Sequence, residues 1–94
     1  MGLTKHDRIA REIAKKKKTE YHADRGVDIR TPRQAIEVET ERGKFPEGVR
    51  QLQGTQKARY LAVPNPLVGE AINYTQGTGV GVMNEHGRIK KRAR

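Results

Sequence analysis

At 94 residues and 10.6 kDa the chain has room for one small domain, expected to occupy residues 1–94, with a 33% share of hydrophobic residues and four aromatics that make its core thin and aliphatic. The lack of cysteine excludes disulfides, Cys-ligated zinc and thiol nucleophiles, so any metal must be held by oxygen or imidazole. Its 20 Lys+Arg against 11 Asp+Glu give a net charge of +9, which points to a polyanionic partner, nucleic acid first. No apolar run approaches the roughly 20 residues of a membrane span, and the expectation is a cytoplasmic protein without membrane contact.

Thr4 followed by Asp7 resembles a capping box, and Ile9, Ala10, Ile13 and Ala14 recur at helical spacing, which predicts a first helix over residues 5–18. On a helical wheel Glu12 falls at the edge of the apolar stripe, within reach of a sheet edge. The run Lys15, Lys16, Lys17 and Lys18 complements the helix dipole and is equally suited to phosphate.

From Thr19 the period changes to two. Strands over 19–22, 27–31 and 34–40, separated by Ala23-Asp24-Arg25-Gly26 and Pro32-Arg33, read as a three-stranded meander. A loop centred on Pro32-Arg33 pairs Ile29 with Ile36, Val27 with Val38 and Asp28 with Glu37, with Glu39 on the face of Glu37. Apolar residues then share one face and three carboxylates the other, where like charges repel. Such a cluster in so basic a chain suits a hard cation, Mg²⁺ or Mn²⁺, and with it phosphodiester chemistry. The bland reading is a solvated sheet face with its acids paired to neighbouring Lys or Arg.

A short helix over 47–53 is stopped by Gly54, and Tyr60–Val63 reads as a buried strand, parallel to an earlier one. Asn65-Pro66 opens a helix to Gln76. The segment Gly77-Thr78-Gly79-Val80-Gly81 follows a helix and precedes a strand, the reverse of a nucleotide-binding loop, and reads as a helix stop. A hairpin of Val80–Met83 and Arg88–Lys90 leads into a basic C-terminal tail, residues 88–94. The expected order is αβββαβαβ, an α+β domain with a mixed central sheet flanked by helices. His6, His22 and His86 are too scattered for a zinc set, with His22 alone expected near the acids.

Gly26-Val27-Asp28-Ile29 followed by Ile36-Glu37-Val38-Glu39, after a helix bearing Glu12 and before one bearing Gln51, resembles the PD-(D/E)xK nuclease superfamily over most of residues 6–76. Small archaeal Holliday-junction-resolvase-like proteins are the nearest shapes. The resemblance implies a restriction endonuclease-like fold and a divalent-metal-dependent DNA endonuclease acting on duplex or branched DNA, as a homodimer. Asp28 and Glu37 would hold Mg²⁺ or Mn²⁺ with the Val38 carbonyl and Glu12, while Glu39 and Gln51 complete the catalytic set. The chain departs from the pattern at Glu39, where lysine is usual, so Lys44, Lys57 or Arg59 would have to supply the cation. Phosphate contacts are expected from Lys15–Lys18, Arg25, Lys44, Lys57, Arg88, Lys90, Lys91 and Arg92. Two other readings stay open: a nuclease fold that binds DNA without cutting it, and a small basic RNA-associated or ribosomal protein.

Overall fold

In the computed structural model, which describes residues 4–22 and 27–94, the Thr4 hydroxyl accepts the Asp7 N–H at 3.0 Å and starts α1 (Lys5–Lys16). The helix buries Ile9, Ala10, Ile13 and Ala14 and ends on Lys15 and Lys16, which favour its negative pole. Five strands follow: β1 (Ile29–Arg30), β2 (Gln34–Val38), β3 (Ala58–Ala62), β4 (Gly81–Met83) and β5 (Ile89–Lys91). They form one mixed sheet in the order β1-β2-β3-β4-β5, antiparallel at both edges and parallel through β2, β3 and β4. Two helices cross between the parallel strands, α2 (Phe45–Leu52) and α3 (Val68–Tyr74).

Strand alternation divides the core into two layers. Ile29, Ile36, Val38, Tyr60, Ala62 and Met83 pack under α1, whereas Ala35, Leu61, Val63, Val80 and Val82 pack under α2 and α3 with Phe45, Val49, Leu52 and Ala71. Ile13, Ile29, Ile36, Leu52 and Leu61 are fully buried, each contributing about 1.5–3 kcal/mol of transfer free energy. The domain is thus α+β, with three α-helices on a five-stranded mixed sheet among the described residues. Among the described residues no helix is long and apolar enough to cross a membrane.

Of the expected pairs between β1 and β2, Ile29 opposite Ile36 forms, next to Arg30 opposite Ala35; Val27 opposite Val38 and Asp28 opposite Glu37 do not join the ladder, and Val27 packs in the α2 layer, away from Ile29 and Val38. The expected first strand over 19–22 is instead a single bridge, Tyr21 to Ile29. Side chains anchor this stretch in place of a ladder, for the Thr19 hydroxyl donates to the Arg30 carbonyl at 2.9 Å and the Tyr21 hydroxyl reaches α1. The second helix begins earlier than its periodicity suggests, at Phe45, because Pro46 is at home in a first turn that needs no N–H. Asn65–Leu67 forms a 3-10 turn before α3. Part of the expected basic tail is strand β5, tied back through Arg94 N–H to the Gly79 carbonyl at 2.9 Å.

Candidate functional site

The antiparallel ladder between β1 and β2 stops at Ile29 and Ile36, and the next residues use side chains instead. Continued in register, the Val38 N–H would meet the Val27 backbone; it donates to Asp28 Oδ2 at 2.9 Å. The Asp28 N–H in turn donates to Glu37 Oε1 at 3.0 Å. Each carboxylate therefore binds the other strand's backbone, and both are buried, Asp28 at 5% and Glu37 at 7% exposure. Because the Glu39 N–H bonds the Ala62 carbonyl of β3, the Val38 amide edge faces away from β3, toward Asp28.

Glu37 and Glu39 lie on the α2 side of the sheet. They line a hollow of about 340 Å³ with His6, Lys44, Glu47 and Gln51. Burial, and then the neighbouring Asp28 charge, push the Glu37 carboxyl up to about 8. Burial likewise raises Glu39 to about 7, against the pull of His6. Gly48 permits this crowding, since a Cβ there would stand 2.9 Å from Glu39 Cγ and 2.9 Å from Leu61 Cδ1.

The histidine came from an unexpected quarter. His6, in the first turn of α1, places Nε2 3.2 Å from Asp28 Oδ2 and Nδ1 3.1 Å from the Tyr21 hydroxyl. That hydroxyl donates to Asp7 Oδ1 at 2.9 Å, so its oxygen is left to accept from Nδ1–H. Both ring nitrogens then act as donors, which is the hydrogen-bonding pattern of imidazolium. The bond to Asp28 raises the His6 pKa, outweighing the opposing effect of burial. The Tyr21 and Thr4 hydroxyls hold the Asp7 carboxyl below its ordinary value, while burial first and the Asp7 bond second raise the Tyr21 hydroxyl. The sequence carried one signal for His6: it shares the i, i+3, i+4, i+7 stripe with Ile9, Ala10 and Ile13.

Asp28, Glu37, Glu39 and Gln51 thus come together as the spacing suggested, with Lys44 at the rim, 3.8 Å from Glu47 Oε2. Glu12 does not join them. It lies six residues further along α1, on another side of the helix, bound to His86 Nδ1 at 2.9 Å and Lys16 Nζ at 3.2 Å. These partners, His86 first, lower its pKa. The His22 side chain is exposed; its N–H donates to the Asp28 carbonyl at 2.7 Å. Of the three cations considered as substitutes for the missing lysine, Lys57 is held by the Thr31 carbonyl at 2.8 Å and Arg59 by Gln53 Oε1 at 2.7 Å, which leaves Lys44 at the acids.

The remaining basic residues are dispersed. Lys15, Lys16, Lys17 and Lys18 stand at the far end of α1 from His6, Lys16 bonding the His86 carbonyl at 3.0 Å. Arg88, Lys90 and Arg92 are exposed along β5, and Lys91 reaches back to Thr75. Arg25 and Gly26 lie outside the described residues. Among the described residues, no three His, Asp or Glu side chains stand grouped as a ready metal site. No family model matches the chain, and no curated protein or solved structure matches it either.

Proposed function

We propose that the protein is a divalent-metal-dependent DNA endonuclease of restriction endonuclease-like fold. The observation that carries this reading is the Asp28–Glu37 pair, two buried carboxylates bonded to each other's strand with Glu39 beside them. A structural role alone would favour one acid and one base; two acids held together raise the cost of ionising them, which a bound cation relieves.

The donor set suits Mg²⁺ or Mn²⁺ in kind, being carboxylate oxygen throughout. Asp28, Glu37 and Glu39 would hold the ion together with the Val38 carbonyl, whose amide edge already faces Asp28. Glu12 is not in this set. The ion would polarise the scissile phosphate and lower the pKa of a water. The chain's own residues do the rest: His6 fixes Asp28, Gln51 and Lys44 face the hollow where a phosphate would lie, and the basic surface attracts the backbone. Cutting both strands of a duplex would need two copies.

Supercoiled plasmid and a four-way junction incubated with Mg²⁺, Mn²⁺ or EDTA test this directly. Metal-dependent nicking that disappears in Asp28→Asn is the expected result. A second reading, a protein that binds DNA without cutting it, is favoured by Glu39 standing where the nucleases the motif resembles carry lysine. It becomes the better reading if both proteins bind the DNA alike and neither cuts with any metal.

A further inference from the structure

At the other end of the sheet, between the end of α3 and β5, lies a second hollow of about 240 Å³, walled by Gln76, Gly77, Gly79, Lys91, Arg92 and Arg94. Three cations meet there without an Asp or Glu in the wall, and none of them forms an ion pair among the described residues. Lys91 is fixed rather than free to swing away: its Nζ donates at 2.9 Å to the hydroxyl of buried Thr75, which donates to the Ala71 carbonyl at 2.8 Å. Burial and the adjacent Arg94 hold the Lys91 ammonium below its ordinary pKa.

The loop supplies more donors. Gly77 and Gly79 both adopt φ near +80°, the left-handed conformation found in backbone anion nests, and both line the hollow. Thr78 and Val80 spend their N–H groups on the Thr75 carbonyl and the Thr78 hydroxyl. The Gly77 and Gly79 amides donate to no protein acceptor among the described residues. Behind the loop stands Arg59, whose Nη2 lies 3.4 Å from the Thr78 carbonyl and 2.7 Å from where a Gly79 Cβ would be. The Arg92 and Arg94 guanidinium groups, the Lys91 ammonium and two amides suit a ligand with several oxygen acceptors and negative charge, which a phosphate offers.

We propose that this hollow binds a phosphate group presented by a nucleic-acid strand, at a site separate from the acid cluster. By strand spacing and rise the two lie roughly 15–20 Å apart, so a strand held here is anchored several nucleotides from the acids. The proposal does not depend on cleavage.

Titration of the ¹⁵N-labelled full chain separates the sources of the phosphate. One arm uses inorganic phosphate, the other a twelve-nucleotide single strand lacking terminal phosphates. The expected result is a saturable shift of the Gly77 and Gly79 amides by the oligonucleotide, at about one tenth of the concentration inorganic phosphate requires or less. Lys91→Met and Arg92→Met should each weaken binding by about threefold to tenfold and reduce the slope of log K against log salt by about 0.7. The exposed Arg92 side chain forms no hydrogen bond or ion pair with a described residue, so its variant keeps the test decisive even if Lys91→Met, deprived of Thr75, melts early. Absence of a saturable amide shift overturns the proposal, as does unchanged affinity in Arg92→Met. Inorganic phosphate binding as tightly as the oligonucleotide overturns the strand in favour of a small-anion site.

Discussion

Glu37 is acidic, buried and next to another acid, and the price of that position falls on its ionised form. Glu37→Gln keeps an acceptor for the Asp28 N–H and removes the charge. At pH 5, below the raised pKa, the two metal-free proteins should melt alike. At pH 9 the variant should be more stable by on the order of 1 kcal/mol, about 4–8 °C in Tm. Equal Tm differences at both pH values would show that the charge is not destabilising. His6→Ala should act through Asp28, which loses its Nε2 partner: Mn²⁺ binding measured by calorimetry should weaken about 10–100-fold, and His6→Gln should recover much of it by restoring a donor. An unchanged affinity in His6→Ala would remove the histidine from the site. Glu37 and Glu39 were legible because strand period puts them on one face; loop symmetry brought Asp28 near them, although the ladder stops one pair short of it and its carboxylate takes the Val38 N–H instead. His6 was not, since its partner Tyr21 belongs to a segment whose path is set by side-chain bonds to α1 rather than by its own alternation.

Among the elements, α2 sets how tightly the acids are enclosed. It approaches the sheet through Gly48, and the added methyl of Gly48→Ala would meet Glu39 Cγ and Leu61 Cδ1, both at 2.9 Å. The glutamate can swing aside but the buried leucine has no such freedom, so overpacking should exceed the gain in helix propensity. A net loss of about 1–3 kcal/mol is expected, read as a lower midpoint in urea unfolding; a stabilised variant would mean that α2 is free to recede. Elements with an unambiguous period were legible, notably α1 with its cap and the parallel strand β3 with its apolar run. The strand at 19–22 was not, because two alternating residues predict the same pattern whether a backbone ladder or side-chain anchors hold them. Glu12 was misplaced for a related reason: a wheel position at the stripe's edge leaves two possible neighbours, and the turn between β4 and β5 supplies His86 at one of them.

For the whole molecule these local shifts combine into one pH profile. Glu37, Glu39 and His6 all have raised pKa values, so the stability they lend is complete at low pH and is lost as pH rises through their folded values, about 8 for Glu37 and about 7 for Glu39. Asp7 and Glu12 are lowered, so theirs is present above the ordinary carboxylate range and is lost as pH falls. The metal-free protein should therefore be most stable near pH 4–5, about the ordinary glutamate value, and lose on the order of 2 kcal/mol toward pH 9, roughly 10 °C in Tm, after allowing for solvent screening of half-exposed Glu39. A cation at the acids inverts the slope, because it binds the ionised carboxylates and must displace protons at lower pH. Adding Mg²⁺ or Mn²⁺ should raise Tm at pH 8–9 by an amount that grows with the logarithm of concentration and leave it almost unchanged at pH 5. The same ions should have little effect on Asp28→Asn at any pH. A cation effect equal at pH 5 and pH 9 would place the ion somewhere other than the acids, since only a site that competes with protons there can couple metal to pH in this direction.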